Sequence, residues 1–202
     1  MDKLFINGAS LVTGDDARDA RLGARFGRMD LASQLALLAV ESLGVDFDAF
    51  ARDRVAICLV SGTTSLSTDV AYWKDRDAVG GPSPTLFTYT LPSAPIGEIA
   101  IRHRLTGPNL CFVGTSADVL PEAAELLRRG EADGCVCVFV NVISPALASL
   151  ISSPAIAKAG ALFLQRVAKD SGALPSGAHE LREFDRDMES LCANLRAQKL
   201  TK

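Results

Sequence analysis

Hydrophobic and polar positions change period several times along this chain, and each change marks an element. Residues 3–13 predict a first strand, and the Arg-, Asp- and Gly-rich stretch 14–28 predicts a loop. Over 30–44, DLASQLALLAVESLG, apolar residues recur at helical spacing, with Asp30 at the N-cap position and Gly44 at the C-terminal stop. Residues 54–61, RVAICLVS, form a continuous apolar run, the pattern of a strand covered on both faces. Ser61-Gly62-Thr63-Thr64-Ser65 then predicts a turn into a helix near 66–77. Residues 79–95 are rich in Gly, Pro, Ser and Thr and predict a long irregular segment, followed by a short helix over about 96–104. A strand at 109–113 leaves a Gly-Pro turn. A helix over about 117–129 follows, stopped by Gly130, and then a strand at 134–142, GCVCVFVNV. Beyond it, SPALASLISSPAIAKAGALFLQRVA predicts helix punctuated by Ser and Pro. Residues 170–180 predict a linker and 181–199 a charged terminal helix. Strands alternating with helices predict an α/β fold with a mixed sheet covered by helices. Residues 1–144 form its main part, and 145–202 a helical extension completing the same domain.

Composition narrows the partners. The 202 residues suffice for one large domain. A net charge of −3 gives no reason to expect nucleic acid. No apolar run reaches the roughly 18 residues that span a bilayer. The opening MDKLFING carries no signal-peptide h-region, so the expected compartment is the cytoplasm. The cysteines Cys58, Cys111, Cys135, Cys137 and Cys192 are odd in number, and most sit in apolar runs. This pattern fits reduced, buried thiols and not a disulfide framework.

Candidate chemistry is sparse. Ser61–Ser65 offers backbone N–H groups at a helix start, yet lacks the lysine and spacing of a phosphate loop, so a plain strand-to-helix turn is expected. Cys135 and Cys137 share one face of a strand, but no second Cys or His pair completes a metal site. His103 belongs to a basic helix surface and His179 to the linker, and neither has a local partner that makes a triad. Arg102, Arg104, Arg128 and Arg129 face solvent or an acidic partner such as a carrier protein. The segment GPNLCFVGTSAD, 107–118, is a strand–turn–helix corner of the kind that exposes a nucleophile. Here the corner holds Val113, Gly114 and Thr115, and the nearest thiol, Cys111, is expected to be buried and inert within the strand.

Five stretches in order resemble the N-terminal half of a β-ketoacyl synthase, a condensing enzyme of the thiolase fold. They are Met29–Ala36, Arg54–Thr63, Ser83–Ile101, Leu105–Pro108 and Ala123–Asp133, the last ending in Gly130-Glu131-Ala132-Asp133. The resemblance covers about residues 5–143 and implies a reduced, half thiolase-like fold. In that family a cysteine stands at the corner. Counting back from Gly130 places its position on Val113 or Gly114, neither of which attacks a thioester. The family's catalytic histidines come from a C-terminal half, and residues 144–202 supply no histidine pair.

The chain thus resembles small, truncated ketosynthase-like subunits, the chain length factors of aryl-polyene-type pathways. The resemblance implies no catalytic residue and no cofactor or metal. It implies a heterodimer with an active ketosynthase, or a homodimer alone, working with acyl carrier protein. Gating of the partner's acyl tunnel falls to Phe87, Thr88, Tyr89, Thr90 and Ile96, against the alternative that these fill the domain's own core. The pairing strand, with Leu110 and Phe112, falls at about 109–113. Two rivals stay open: an active enzyme using Cys111 or a serine of the 114–116 turn, and a stand-alone acyl or carrier-protein binding module.

Overall fold

The architecture follows from two central strands that bury both faces. In a computed structural model of the chain, described over residues 3–77, 79–167, 179–180 and 187–200, the strands are β1 (Lys3–Thr13), β2 (Val55–Ser61), β3 (Asn109–Val113), β4 (Gly134–Ile143), β5 (Ile156–Val167) and the two-residue β6 (His179–Glu180). The helices are α1 (Gly14–Asp19), α2 (Leu31–Glu41), α3 (Leu66–Lys74), α4 (Pro84–Thr88), α5 (Ala94–His103), α6 (Val119–Arg128), α7 (Pro145–Ile151) and α8 (Met188–Leu200). The sheet order is β3-β2-β4-β5-β1-β6. β2 runs parallel to β3 and β4, while β5 runs antiparallel to β4 and β1, and β6 antiparallel to β1.

All seven residues of β2 are buried, and alternate side chains feed two cores. Val55, Ile57 and Leu59 join Val136, Val138 and Val140 on the face covered by α2 and α5. Ala56, Cys58 and Val60 join Cys135, Cys137 and Phe139 on the face covered by α6 and α8. Helix α2 starts where expected: Asp30 accepts from the Ser33 N–H at 3.0 Å and from the Thr68 hydroxyl at 2.7 Å. The Leu105–Pro108 stretch brings β3 beside β2. A Cβ on Gly107 would lie 2.3 Å from the Val55 carbonyl, so only glycine fits there. The Ile57 N–H then donates to the Pro108 carbonyl at 2.9 Å.

Four expectations need correction. The 14–28 loop contains α1, whose first turn is closed by Thr13 donating to the Asp16 carboxylate. The irregular 79–95 segment contains α4, capped by Ser83 accepting from the Leu86 N–H. Of the expected helical extension, α7 is helix, but Ile156–Val167 is a twelve-residue strand pairing with both β4 and β1. Its Ala157, Ala159 and Ala161 suit a helix by propensity. In the sheet Gly160 makes room for the Phe139 ring, which would lie 2.5 Å from a Cβ at that position. His179 lies in β6, paired with Ile6, and the rest of the expected linker, 168–178, lies outside the described residues. So do residues 181–186 of the expected terminal helix.

Candidate functional site

The C-terminal ends of β2, β3 and β4 meet at the corner singled out in the sequence. The Gly114 N–H donates to the Ser61 carbonyl at 3.2 Å, and the Gly62 N–H donates to Asn141 Oδ1 at 3.1 Å. Val113 is 75% exposed. Gly114 turns the chain under Asp118, whose Oδ2 would lie 2.5 Å from any Cβ at this position. Asp118 accepts from the Thr115 N–H at 2.7 Å and from the Thr115 hydroxyl at 2.9 Å, and these bonds hold its carboxyl below the usual range.

The neighbouring Ser116 is also committed. Its hydroxyl donates to Asp187 Oδ1, and its carbonyl accepts from the Met188 N–H at 3.4 Å. The start of α8 therefore sits on the turn. Met188, Leu191 and Cys192 continue that contact into the core over β1 and β5. Hydrogen bonds from Ser116 and then Ser190 hold the Asp187 carboxyl low. Both hydroxyls of the turn thus donate to carboxylates, and among the described residues no histidine or lysine hydrogen-bonds to either one. No local pattern announces the Ser116–Asp187 pairing, because 71 positions separate the two residues.

Cys111 departs from expectation. It is exposed, because β3 is the edge of the sheet and the face carrying Asn109, Cys111 and Val113 has no helix over it at that edge. Partial burial still raises its thiol pKa. Leu110 and Phe112 point the other way and pack, half-buried, against the core under α6 and α8. Cys58, Cys135, Cys137 and Cys192 are all buried, with 3.5 Å between the sulfurs of Cys58 and Cys135. Burial and mutual contact push these thiols up. Among the described residues no group of three or more His, Cys, Asp or Glu side chains could hold a metal ion.

The expected gating residues divide into two sets. Phe87 and Thr88 are exposed and Thr90 half-buried, whereas Tyr89 and Ile96 lie in the domain's own core. The Tyr89 hydroxyl donates to Glu98 Oε1 at 3.0 Å, and Arg25 holds the same buried carboxylate with two bonds of 2.7 and 3.0 Å. Burial and Glu98 push the Tyr89 hydroxyl up to about 12.

The four arginines lie in opposite layers. Arg102 and Arg104 end α5 on one face, and Arg128 and Arg129 end α6 on the other. Arg102 pairs with Glu41 at 2.7 Å and Arg129 with Glu125 at 2.8 Å. His103 does not belong to the basic surface. It packs on Phe47 with ring centroids 4.7 Å apart, and burial lowers its pKa. The Ser61–Ser65 turn is internally satisfied, Ser61 Oγ accepting from the Thr64 N–H at 2.8 Å, as a plain connection requires.

Residues 14–157 match the β-ketoacyl synthase N-terminal domain. The chain belongs to that family. Solved structures of similar fold include the ishigamide ketosynthase/chain length factor, at TM-score 0.69 and 20% identity, covering 86% of this chain and 64% of that one. A second is the AntDE:AntF complex, a type II polyketide synthase acyl-carrier protein with its ketosynthase bound to the hexaketide. It matches at TM-score 0.67 and 16% identity, over 82% of this chain and 63% of that one. A third is the ketosynthase ApeO in complex with its chain length factor ApeC from Xenorhabdus doucetiae, at TM-score 0.63 and 16% identity, over 96% of this chain and 92% of that one. The chain therefore spans less than two thirds of the length of the first two. No curated protein matches it. At these identities the likeness establishes the thiolase-type fold of a ketosynthase-like domain. No helix among the described residues is long and apolar enough to cross a membrane.

Proposed function

We propose that this ketosynthase-like domain is a non-catalytic subunit of chain length factor type. It pairs with an active β-ketoacyl synthase and shapes that partner's acyl tunnel. The observation that carries this reading is the corner itself. Its hydroxyls donate to Asp118 and Asp187, and in this reading Val113 or Gly114 takes the position of the family's nucleophile. Among the described residues a thioester arriving there meets no thiolate, only hydroxyls tied to two carboxylates, so acyl transfer lacks the family's nucleophile.

What such a domain retains is physical. Among the described residues the outer edge of β3 is unpaired, and such an edge is a template for strand addition. In this reading Leu110 and Phe112 stiffen that strand from behind. Phe87, Thr88 and Thr90 face the partner's tunnel, while Tyr89 and Ile96 anchor the segment that carries them. The pathway is of type II polyketide or fatty-acid-like character, with aryl polyenes as the model, and its substrates arrive on acyl carrier protein. Arg102, Arg104, Arg128 and Arg129 are the basic positions offered to that carrier. The compartment is the cytoplasm, and no cofactor takes part.

The test is co-expression with ketosynthases encoded beside this gene, one tag on this chain, and sizing of what co-purifies. The expected result is a stable 1:1 complex whose product length changes in Phe87→Ala. A soluble homodimer that captures no ketosynthase refutes the reading and favours the stand-alone binding module. Labelling by a cysteine-directed ketosynthase inhibitor that is lost in Cys111→Ala favours an active enzyme instead.

A further inference from the structure

The chain leaves its core between α3 and α5 and returns to it by one side chain. Between residues 79 and 93 only Tyr89 is buried. No residue of α4 is buried, and Phe87 meets the body of the domain through Tyr72, with ring centroids 5.5 Å apart. Tyr89 closes α4, its N–H donating to the Leu86 carbonyl at 3.0 Å, and its ring lies in the core that α2 and α5 cover. Where α4 stands therefore depends on how Tyr89 is held.

Its hydroxyl bonds to an acid that needs a partner of its own. Glu98 lies inside α5 with its side chain 6% exposed. Taking a carboxylate out of water is costly unless a cation pairs with it. That cation stands 73 positions upstream, in the loop before α2. Arg25 Nε donates to Glu98 Oε2 at 2.7 Å and Arg25 Nη2 to Oε1 at 3.0 Å, and Oε1 also accepts from the Tyr89 hydroxyl. The two-bond grip fixes both oxygens, so the guanidinium sets where the tyrosine finds its acceptor. The loop is itself anchored. Phe26 is buried, and its carbonyl accepts from Gln34 Nε2 at 3.0 Å and from the Met29 N–H at 3.2 Å.

We propose that Arg25 is a positioning residue: through Glu98 and Tyr89 it fixes the α4 segment, and with it the volume this subunit leaves for the acyl chain. The inference rests on the chain-length reading above. It deepens that reading by assigning control of the segment to a residue outside it. The side chains of the segment set which length is made, and Arg25 sets how sharply. An α4 released from its tether samples several positions, so products spread over several lengths instead of moving to one new length.

The experiment compares Arg25→Lys, which keeps the charge and loses the fork, with Tyr89→Phe and with the two combined. Amide hydrogen exchange of the full chain is read first. Phe87, Tyr89 and Thr90, whose N–H groups bond within the segment, should exchange about tenfold faster in Arg25→Lys, with β2 and β4 changed far less. The double variant should exchange no faster than the quicker single one, because both substitutions act on one carboxylate. Products of the co-expressed complex are then measured by mass spectrometry. Arg25→Lys should broaden the distribution around the wild-type length, whereas Phe87→Ala displaces it. Unchanged exchange in the segment overturns the inference, and so does equal acceleration throughout the chain, which is lost stability and not lost positioning. Local acceleration with an unbroadened distribution, while Phe87→Ala still displaces it, overturns the control of length by Arg25. If no complex forms, or if Phe87→Ala leaves the products unchanged, the chain-length reading itself fails, and the exchange result still decides whether Arg25 positions the segment.

Discussion

Tyr89, which ends α4, and Glu98, inside α5, are joined by a 3.0 Å hydrogen bond in the core, nine positions apart. The bond explains why a segment rich in Gly, Pro and Thr holds one shape. Glu98 is 5% exposed, and its carboxylate is shared between the Tyr89 hydroxyl and the half-exposed Arg25 guanidinium. Tyr89→Phe removes one donor and leaves the carboxylate with the arginine alone. The expected cost is about 1–2 kcal/mol. Glu98→Ala removes the acceptor for both partners and is expected to cost about 2–4 kcal/mol. Urea denaturation of the two variants checks the order. Equal stabilities for wild type and Tyr89→Phe would show that the bond is not made in solution.

Much of this fold was legible in its residues. β2 and β4 are continuous apolar runs, and a strand buried on both faces needs that pattern. Asp30 and Gly44 bracketed α2 because caps and stops act locally. β5 was not legible, since Gly160 is selected by the Phe139 ring opposite it, 21 positions upstream on β4. The corner could be placed by its spacing. Its plugging by Asp187 could not, because that contact depends on where α8 crosses the sheet. Edge position is likewise a property of strand order, so the exposure of Cys111 could not be read from its apolar neighbours.

That exposure gives a count of reactive thiols. Cys58, Cys135, Cys137 and Cys192 are buried with raised pKa values, Cys192 to about 12, whereas Cys111 reaches solvent from the uncovered face of β3. Titration of the folded chain with an aromatic disulfide reagent is expected to release one equivalent rapidly and five in denaturant. Cys111→Ser should abolish the fast phase. Its rate should climb steadily above neutral pH, because burial holds the thiol protonated at pH 7. A fast phase persisting in Cys111→Ser would mean that the buried cysteines open.

His103 makes stability depend on pH. Burial against Phe47 lowers its pKa below 6.5, Glu41 at 3.7 Å opposes the shift, and Arg102 and Arg52 reinforce it. With the folded pKa depressed, the neutral ring's contribution is complete above the unfolded value near 6.5. It is lost as pH falls through the lower folded value. The urea midpoint should therefore drop between pH 7 and pH 5.5, and His103→Gln should flatten that drop. The Asp133 carboxylate, held low by Arg54 and then Arg166, adds its own loss only at more acid pH. The two contributions therefore separate along the pH axis.

Placing a thiol at the corner tests whether the turn can carry a nucleophile. Val113 is open to solvent, so Val113→Cys should fold normally and label with iodoacetamide. Gly114→Cys should cost about 1–3 kcal/mol, because its Cβ would press on the Asp118 carboxylate that closes the turn. Neither variant is expected to form an acyl-enzyme at a useful rate. A thiol at 113 or 114 lies beside Asp118, with Ser116 tying Asp187 to the same turn. Carboxylates nearby raise a thiol's pKa, the reverse of what a nucleophile needs. Intact-protein mass spectrometry after incubation with an acyl thioester measures the outcome. Rapid acylation of Val113→Cys would mean that one substitution silenced this corner, whereas slow acylation, relieved only when Asp187→Ala is added, would locate the block in the contact with α8.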